Sequence, residues 1–466
     1  MFELLKHAFE EHKNRPAYKI GEYKLTYGEL FDKASHYASL LRKQGSSPVI
    51  LYGKKTINTV IGIISCILAR RTYIPLDLNS PESRVKKITD IAGATLVVTS
   101  ENINIDNVDC VSLDGLQSFA DGEEKEPTCG DIVYIIFTSG TTGIPKGVPI
   151  SNSNLKSFIT WISAFSPLDT FKEINVMNQA EFCFDLSVAD FYYALCNGHR
   201  LVSYEADKAP IADFVEENAI NYMVITPTFA RLCLLDEKFN ASDCPTLKCI
   251  YFCGETLEKK TAKRLFRRFP DICLINAYGP TEATSAVSAV IVTRDMLDDE
   301  RSLPIGKTGM HATEICIEDG EIVLKGNSVF GGYLGADLES HYVENGKNCY
   351  KTGDLGEIAN GLLYYHGRMD SQIKYKGYRI ELGDIESHLL KISGVVEAAV
   401  ITKKSGDTIK GIYAFVVVKK DLDEDFIKSE LHKTLPKYMM PKKVTVIDKM
   451  PVTNNKKLDR KALEML

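Results

Sequence analysis

The chain has 466 residues, more than one hydrophobic core usually serves, so we expect at least two domains. Hydrophobic residues make up 44% of it and charged residues 25%, which is the balance of a globular enzyme. A net charge of -6 disfavours binding to nucleic acid or anionic lipid. The longest apolar stretch, residues 60–69, is about half of the roughly 20 residues that cross a bilayer, so we expect a cytoplasmic protein without membrane insertion.

The 12 cysteines are scattered along the chain, and none forms a Cys-x-x-Cys pair. The tightest group is Cys244, Cys249 and Cys253, which has no histidine nearby and lacks the spacing of zinc ligands. We therefore expect reduced thiols and no structural zinc.

Helical and strand patterns alternate through the first two-thirds of the chain. Residues 56–69 have the apolar spacing of a helix, and short apolar runs predict strands at 132–137, 222–225, 250–253 and 272–275. Such alternation is typical of layered α/β architecture.

The pattern changes after Asp370 to a compact set of elements. We predict helices at 382–392 and 425–435 and strands at 395–402 and 412–418. This set indicates a small α+β domain. We place the boundary at Asp370, which gives an N-terminal domain of residues 1–369 and a C-terminal domain of residues 370–466.

A glycine-rich segment directly follows the strand at 132–137. It reads Thr138-Ser139-Gly140-Thr141-Thr142-Gly143-Ile144-Pro145-Lys146-Gly147. Its glycines let backbone N–H groups approach an anion closely, while its hydroxyls and its lysine add further donors. The spacing is neither that of a Walker motif nor that of a hydrolase nucleophile elbow. The segment indicates a phosphate site, with a flexible surface turn as the alternative.

Four further segments occur together with this loop, in the order found in adenylate-forming enzymes of nonribosomal peptide synthesis and their relatives. They are Asn276-Ala277-Tyr278-Gly279-Pro280-Thr281-Glu282, Tyr350-Lys351-Thr352-Gly353-Asp354, Gly367-Arg368-Met369-Asp370 with residues 376–381, and residues 451–460. The chain resembles that superfamily nearly end to end. The resemblance implies a large multilayered N-terminal adenylation domain, a small mobile C-terminal domain, and use of ATP with Mg²⁺.

The resemblance also assigns roles to residues. The loop from Thr138 to Lys146 would contact the ATP phosphates, and the backbone from Asn276 to Thr281 would frame the adenine and the α-phosphate. Glu282 would hold Mg²⁺, for which a carboxylate oxygen is a suitable ligand. The alternative for Glu282 is a solvated loop carboxylate.

Two more nucleotide contacts follow from the same resemblance. Asp354 would accept the ribose hydroxyls, and the segment Tyr365-His366-Gly367-Arg368 would supply a guanidinium suited to phosphate or ribose oxygens. The alternatives are a turn aspartate that satisfies its own backbone and an interdomain ion pair of Arg368.

Lys457 matches the lysine that these enzymes place between the substrate carboxylate and the α-phosphate. A cation there offsets the repulsion between two reacting anions. The residue before it is usually glycine and here is Lys456. The register with Asp459 and Arg460 favours Lys457, and the alternative is that both lysines are solubility charges.

The segment that contains Asp185 indicates what is activated. It matches the position where amino-acid-activating members bind the substrate ammonium, and a buried carboxylate selects an amine because it is costly to leave unpaired. The alternative is helix capping by Asp185 or Ser187. Cys253 falls where the D-alanine-activating branch, which serves teichoic acid synthesis, carries a cysteine in the substrate pocket. Ser285 stands where a small apolar residue such as valine is expected.

The resemblance therefore implies a ligase that adenylates a small amino acid, with D-alanine expected, and passes it to the phosphopantetheine thiol of a separate carrier protein. Two alternatives stay open. One is a stand-alone adenylation enzyme of the nonribosomal-peptide type for another amino acid. The other is a non-catalytic nucleotide-binding regulator, against which the occupied catalytic positions argue.

Overall fold

The computed structural model describes residues 1–123, 131–139, 144–205, 208–309, 312–336, 338–405, 408–419, 422–451 and 458–466. The described residues divide into two compact units. The first contains Met1–Asp77, Ala92–Ile136 and Gly147–Met369, and the second contains Leu78–Ile91, Phe137–Lys146 and Asp370–Leu466. The second unit thus includes two segments that the sequence analysis assigns to the N-terminal domain, and the domain bounds given there remain a prediction.

Helices and strands alternate along the first unit. The α-helices of the described chain are α1 Phe2–Glu11, α2 Tyr27–Gln44, α3 Ile57–Leu68, α4 Glu82–Ala92, α5 Asn152–Ser163, α6 Leu186–Cys196, α7 Ile211–Glu217, α8 Pro227–Cys233, α9 Lys259–Arg268, α10 Leu382–Leu390, α11 Glu424–His432 and α12 Arg460–Glu464. No helix in these ranges is long and apolar enough to span a membrane.

The strands form three sheets in the first unit and two in the second. They are β1 Pro16–Ile20, β2 Tyr23–Thr26, β3 Val49–Tyr52, β4 Tyr73–Leu76, β5 Leu96–Thr99, β6 Asp109–Val111, β7 Ile132–Thr138, β8 Lys146–Ser151, β9 Asn175–Asn178, β10 Arg200–Ser203, β11 Tyr222–Ile225, β12 Cys249–Phe252, β13 Cys273–Tyr278, β14 Ser288–Ile291, β15 Gly306–Lys307, β16 Glu314–Glu318, β17 Glu321–Lys325, β18 His341–Glu344, β19 Lys347–Ala359, β20 Leu362–Arg368, β21 Gln372–Tyr375, β22 Tyr378–Glu381, β23 Val395–Ser405, β24 Thr408–Val418 and β25 Lys443–Val446.

The largest sheet has eight strands in the order β14-β13-β12-β11-β9-β10-β1-β2. Its six inner strands pair in parallel, and only the edge strands β2 and β14 run antiparallel to their neighbours. Strands β11 and β12 are buried along their whole length, as expected for parallel strands covered on both faces. A second sheet has the order β6-β5-β3-β4-β7-β8, and a third, antiparallel sheet is built from β15 to β20.

Short polar side chains fix where the helices begin. Capping boxes start α2 at Thr26, α3 at Thr56 and α5 at Ser151, and in each the cap hydroxyl accepts the backbone N–H three residues later. The predicted helix at 56–69 is therefore α3 together with its two cap residues.

The carboxyl end of α2 is closed by the buried side chain of Arg71. Its guanidinium donates to the backbone carbonyl of Leu41 at 2.9 Å and to the carbonyl of Ser47. It also donates to the side-chain oxygen of Gln44 at 2.8 Å. Carbonyls at a helix end have no partner within the helix, so this arginine satisfies groups that would otherwise need water.

The second unit contains a two-stranded sheet, β21-β22, and a three-stranded sheet, β23-β24-β25. Apolar side chains of α10, α11 and the three-stranded sheet form its core. Arg460, the first residue of α12, donates to the Glu386 carboxylate at 2.7 Å and to the Val400 carbonyl at 2.6 Å. This contact fastens the short final helix to α10 and β23.

A buried histidine makes the first unit sensitive to acid. Burial lowers the pKa of His199 to about 4, and the nearby charges of His12 and Arg15 act in the same direction. The folded state therefore favours the neutral ring. In the unfolded chain the imidazole titrates near its ordinary value of about 6.5. The stability due to this difference is complete above pH 6.5 and is lost as the pH falls towards 4.

Lowering the pH from 7 to 5 should reduce the free energy of unfolding of both the native chain and the His199→Asn variant. We expect the reduction to be about 2 kcal/mol smaller in the variant. Trp161 is the single tryptophan and lies in the first unit, so its fluorescence in urea titrations follows this unit. Equal losses in both proteins would show that His199 does not carry the acid sensitivity.

Candidate functional site

Three loops of the first unit follow parallel strands of the eight-stranded sheet. Strand β9 leads to Asp185, β12 leads to Cys253, and β13 leads to the turn from Gly279 to Glu282. Since the carboxyl ends of parallel strands meet at one edge of a sheet, the topology gathers these residues there. All three loops contain residues that were predicted from the sequence to form the site, and this edge is where an α/β sheet usually binds ligands.

Asp185 immediately precedes α6, but its side chain does not cap the helix. Its carboxylate instead accepts a hydrogen bond from the hydroxyl of Thr281 at 2.7 Å. Ser187 donates to the carbonyl of Phe184 at 2.6 Å, so it is not the cap either. The capping alternative is therefore wrong, and Asp185 is fixed to the loop that carries Glu282.

The turn that contains Thr281 is tightly built. A Cβ atom added to Gly279 would lie 2.5 Å from the Cα of Ala286, so this position accepts only glycine without a backbone shift. Thr284 and Ser285 both have positive φ, 61° and 69°, in the region that side chains with a Cβ rarely adopt. The Cys253 thiol lies 3.7 Å from the Ser285 carbonyl oxygen, which brings β12 against this turn.

Glu282 is fully buried, so the alternative of a solvated loop carboxylate is wrong. Its carboxylate accepts a hydrogen bond from the Tyr333 hydroxyl at 2.5 Å, and its backbone carbonyl accepts from the N–H of Phe330 at 2.8 Å. The described residues contain no cluster of three or more metal-binding side chains. A single carboxylate suits Mg²⁺, which proteins often hold through one or two carboxylates plus phosphate oxygens and water.

Asp354 and Arg368 form a buried ion pair across two strands. They are register partners in β19 and β20, and the guanidinium lies 2.6 Å from the carboxylate. The other carboxylate oxygen accepts the Tyr278 hydroxyl at 2.7 Å. Both partners lie in the first unit, so this pair is not interdomain. A carboxylate has about four acceptor positions, which leaves Asp354 able to accept ribose hydroxyls as well.

The neighbouring residues of the nucleotide motifs have structural partners. The Asn276 side chain donates to the Pro304 carbonyl at 2.7 Å. Tyr365 is half-buried against the main core, whereas His366 is half-exposed with its ring 3.8 Å from Glu357. Ala277 and Pro280 contribute backbone to the strand end and turn.

The described part of the glycine-rich loop belongs to the second unit. The Thr138 hydroxyl is buried and has no hydrogen-bond partner within the described ranges. The Ser139 hydroxyl donates to the Arg379 carbonyl at 3.2 Å and accepts the N–H of Glu381 at 3.1 Å. Lys146 is buried at the start of β8. Gly140, Thr141, Thr142, Gly143, Lys456 and Lys457 lie outside the described residues.

A buried charge cluster at the carboxyl end of β9 was not predicted from the sequence. The Lys55 ammonium donates to the carbonyls of Asn178 and Gln179 at 3.2 and 3.1 Å, where β9 ends. Asn178 in turn donates to both carboxylate oxygens of Asp190 at 3.1 Å. Burial lowers the pKa of Lys55 and raises that of Asp190, and the charge of each partner opposes the shift of the other.

This cluster holds the loop that ends at Asp185. The Lys55 ammonium binds the first carbonyls of the loop after β9. Later in the same loop, the Cys183 thiol is hydrogen-bonded to Asp77. The signal available in the sequence was Asp190, a lone charge within the apolar run of α6. A buried charge needs a counter-charge. Lys55, however, lies 135 positions before Asp190 in the sequence (190 minus 55), so it could not be identified as the partner from the sequence.

Comparison with known protein families agrees with this geometry. The AMP-binding enzyme family matches residues 5–334, and the AMP-binding enzyme C-terminal domain matches residues 384–457. The adenylation domain AlmE of Vibrio cholerae, solved in complex with glycyl-adenosine-5'-phosphate, has the same fold. It superposes with a TM-score of 0.85 at 23% identity, covering 99% of this chain and 96% of that one. The fold and motifs define an AMP-binding enzyme.

Two full-length relatives narrow the class. The D-alanine–D-alanyl carrier protein ligase of Bacillus cereus strain G9842 is 36% identical, over 99% of this chain and 98% of the relative. The ligase of the same name from Listeria monocytogenes serotype 4b strain CLIP80459 is 38% identical, over 96% and 95%. The chain belongs to the AMP-binding enzyme family, in the group of these ligases, and it is an ATP-using ligase that forms AMP.

We expect Lys55→Met to raise the KM for the carboxylate substrate about tenfold, the equivalent of about 1.4 kcal/mol of binding. The physical reason is that the β9 carbonyls lose their donor and the Asp185 loop loses its anchor. The KM for ATP should change less than about twofold. Lys55→Arg, which keeps a buried cation and donors, is the control and should restore most of the affinity. A parallel rise in both KM values would mean that Lys55 has only a general structural role.

Proposed function

We propose that this chain activates D-alanine with ATP as D-alanyl-adenylate and transfers the D-alanyl group to the phosphopantetheine thiol of a separate carrier protein. The observation that carries the proposal is the Asp185 carboxylate, held by Thr281 at 2.7 Å beside Cys253 and Glu282 on one sheet edge. An anionic acceptor in this position suits an ammonium group. The names of the relatives, which are D-alanine–D-alanyl carrier protein ligases, support the choice of amino acid and acceptor.

In the first step, a carboxylate oxygen of the amino acid attacks the α-phosphorus of ATP, and pyrophosphate leaves. Asp185 binds the substrate ammonium and so orients the carboxylate. Lys457 contacts that carboxylate and the α-phosphate, where a cation lowers the repulsion between the two anions. Orientation of both reactants makes the attack effectively intramolecular.

The nucleotide contacts are proposed separately for each unit. In the first unit, Asp354 accepts the ribose hydroxyls, Arg368 holds Asp354 and donates to ribose or phosphate oxygens, and the backbone from Asn276 to Thr281 faces adenine. In the second unit, Thr138, Ser139 and the loop to Lys146 donate to phosphate oxygens. The buried Thr138 hydroxyl, which has no hydrogen-bond partner among the described residues, supports that assignment. Mg²⁺, held by Glu282, would neutralise charge on the phosphate oxygens.

In the second step, the carrier thiol attacks the acyl carbon of the adenylate. A carbon–sulfur bond forms, the bond from that carbon to the phosphate oxygen breaks, and AMP leaves while the thiol proton passes to solvent. Thioester formation needs no further ATP, because the adenylate already carries the activated acyl group.

We expect ATP–pyrophosphate exchange with D-alanine and little exchange with L-alanine. A methyl group offers only about 1 to 3 kcal/mol of selective binding, so discrimination depends on where the methyl points. With ammonium and carboxylate both fixed, inversion at the α-carbon exchanges methyl and hydrogen and drives the methyl into a wall. Exchange across a panel of D- and L-amino acids measures this. Pyrophosphate exchange with another amino acid, together with no exchange with D-alanine, would refute the proposed substrate.

Cys253 is the side chain that we place at that wall. Cys253→Ala should raise kcat/KM for L-alanine and so narrow the D-to-L ratio, because the methyl then gains room. An unchanged ratio of the two kcat/KM values would show that a residue other than Cys253 excludes L-alanine.

We expect Lys457→Ala to slow adenylate formation by about 10²- to 10³-fold, the usual cost of losing one electrostatic contact in a transition state. Lys456→Ala is the matched control and should have a much smaller effect. Pyrophosphate release under saturating substrates measures both. A larger loss in the Lys456 variant would transfer the role to that residue.

A further inference from the structure

Ser285 carries a buried hydroxyl in the turn that closes the proposed amino-acid site. Only 2% of the residue is exposed, and the oxygen has no hydrogen-bond partner in the part of the chain that the structure describes. Leaving a buried hydroxyl without a partner costs free energy, and the large majority of such groups in proteins are satisfied. A ligand group at this position would satisfy the hydroxyl.

Two further hydroxyls near Asp185 share this property. The phenols of Tyr134 and Tyr251 are fully buried, and neither oxygen has a hydrogen-bond partner among the described residues. Burial raises the pKa of both phenols, and the negative charge of Asp185 adds to each rise. Both phenols therefore lie within electrostatic range of the carboxylate that we assign to the substrate ammonium.

The position of Ser285 points to the substrate side chain rather than to its ammonium. Cys253, the proposed wall for the α-carbon substituent, lies 3.7 Å from the Ser285 carbonyl oxygen. Tyr251, in β12, and Cys253, just after that strand, belong to the same core cluster, whereas Ile250 and Phe252 pack into a different one. Ser285 and Tyr251 therefore bring hydroxyls to the region of this wall, where an all-apolar surface would suffice for a methyl group.

We propose that Ser285 gives the site specificity for a small D-amino acid with a side-chain hydroxyl, so that D-serine is activated alongside D-alanine. The inference rests on the proposed function. The substrate hydroxyl on the β-carbon hydrogen-bonds the Ser285 hydroxyl, which has no partner among the described residues. The gain is specific to D-serine because D-alanine has no side-chain group that can make this hydrogen bond.

The test is pyrophosphate exchange of the full-length chain with D-alanine, D-serine and L-serine, in the native protein and in Ser285→Ala. Alanine removes the oxygen without adding bulk, and it suits the positive φ at this position no worse than serine does. We expect native kcat/KM values for D-serine and D-alanine within about tenfold of each other, and a D-serine to D-alanine ratio at least tenfold lower in the variant. L-serine should be poor in both.

Tyr222→Phe is the matched control. The Tyr222 hydroxyl is likewise buried and has no hydrogen-bond partner in the described ranges, but Asp185 does not contribute to its pKa rise. Removing it should leave the ratio unchanged. Equal falls in the ratio for both variants would indicate a general effect of core hydroxyls and would overturn the inference.

The remaining outcomes separate the inference from the proposed function. Activation of D-alanine with D-serine at background, or an unchanged ratio in Ser285→Ala, overturns the inference and leaves the proposed function standing. Exchange with neither D-amino acid refutes the proposed function itself. If the Ser285→Ala variant does not fold, the inference can still be tested by ligand binding to the native protein. D-seryl and D-alanyl sulfamoyladenosine should then bind with Kd values within about tenfold, and a hundredfold weaker seryl compound would overturn the inference.

Discussion

The site depends on the parallel direction of the inner strands of the eight-stranded sheet. Strands β9, β12 and β13 all end at one edge, so loops that are distant in sequence start close together. The first of these loops carries Asp185, the second carries Cys253, and the third carries Glu282. Strand direction alone thus brings together the three residues for which we propose the roles of ammonium acceptor, side-chain wall and metal ligand.

Burial of several carboxylates at this edge costs free energy, and the hydrogen bonds that compensate for this cost hold the side chains in fixed positions. Asp185, Glu282, Asp354 and Asp190 are carboxylates in or beside the site, and taking such a charge out of water is costly unless partners compensate. The chain supplies a separate partner to each: Thr281, Tyr333, Arg368 and Asn178. These bonds orient the carboxylates before any substrate arrives, so substrate binding need not order them.

The site loops could be identified from the sequence because the residues that characterise each loop are contiguous. Asp185 follows a recognisable motif, and the strand at 222–225 coincides with β11. The strand predicted at 272–275 extends to Tyr278 because β-pairing with β12 and β14 continues into the motif. Partners could not be found in this way. Lys55 with Asn178, and Glu282 with Tyr333, meet only after the sheets form, and neither Lys55 nor Tyr333 lies in a distinctive sequence pattern.

The turn from Gly279 to Val287 is closed on itself, and this has an evolutionary consequence. The N–H of Val287 donates to the carbonyl of Tyr278 at 2.8 Å, and the N–H of Ala286 donates to that of Thr284 at 2.8 Å. Gly279 leaves no space against Ala286, so the segment can shift only as one piece. Glu282 and Ser285 therefore share one rigid support. Substitutions near Ser285, on the proposed amino-acid side of the site, are therefore expected to be epistatic with substitutions near Glu282, on the proposed nucleotide side.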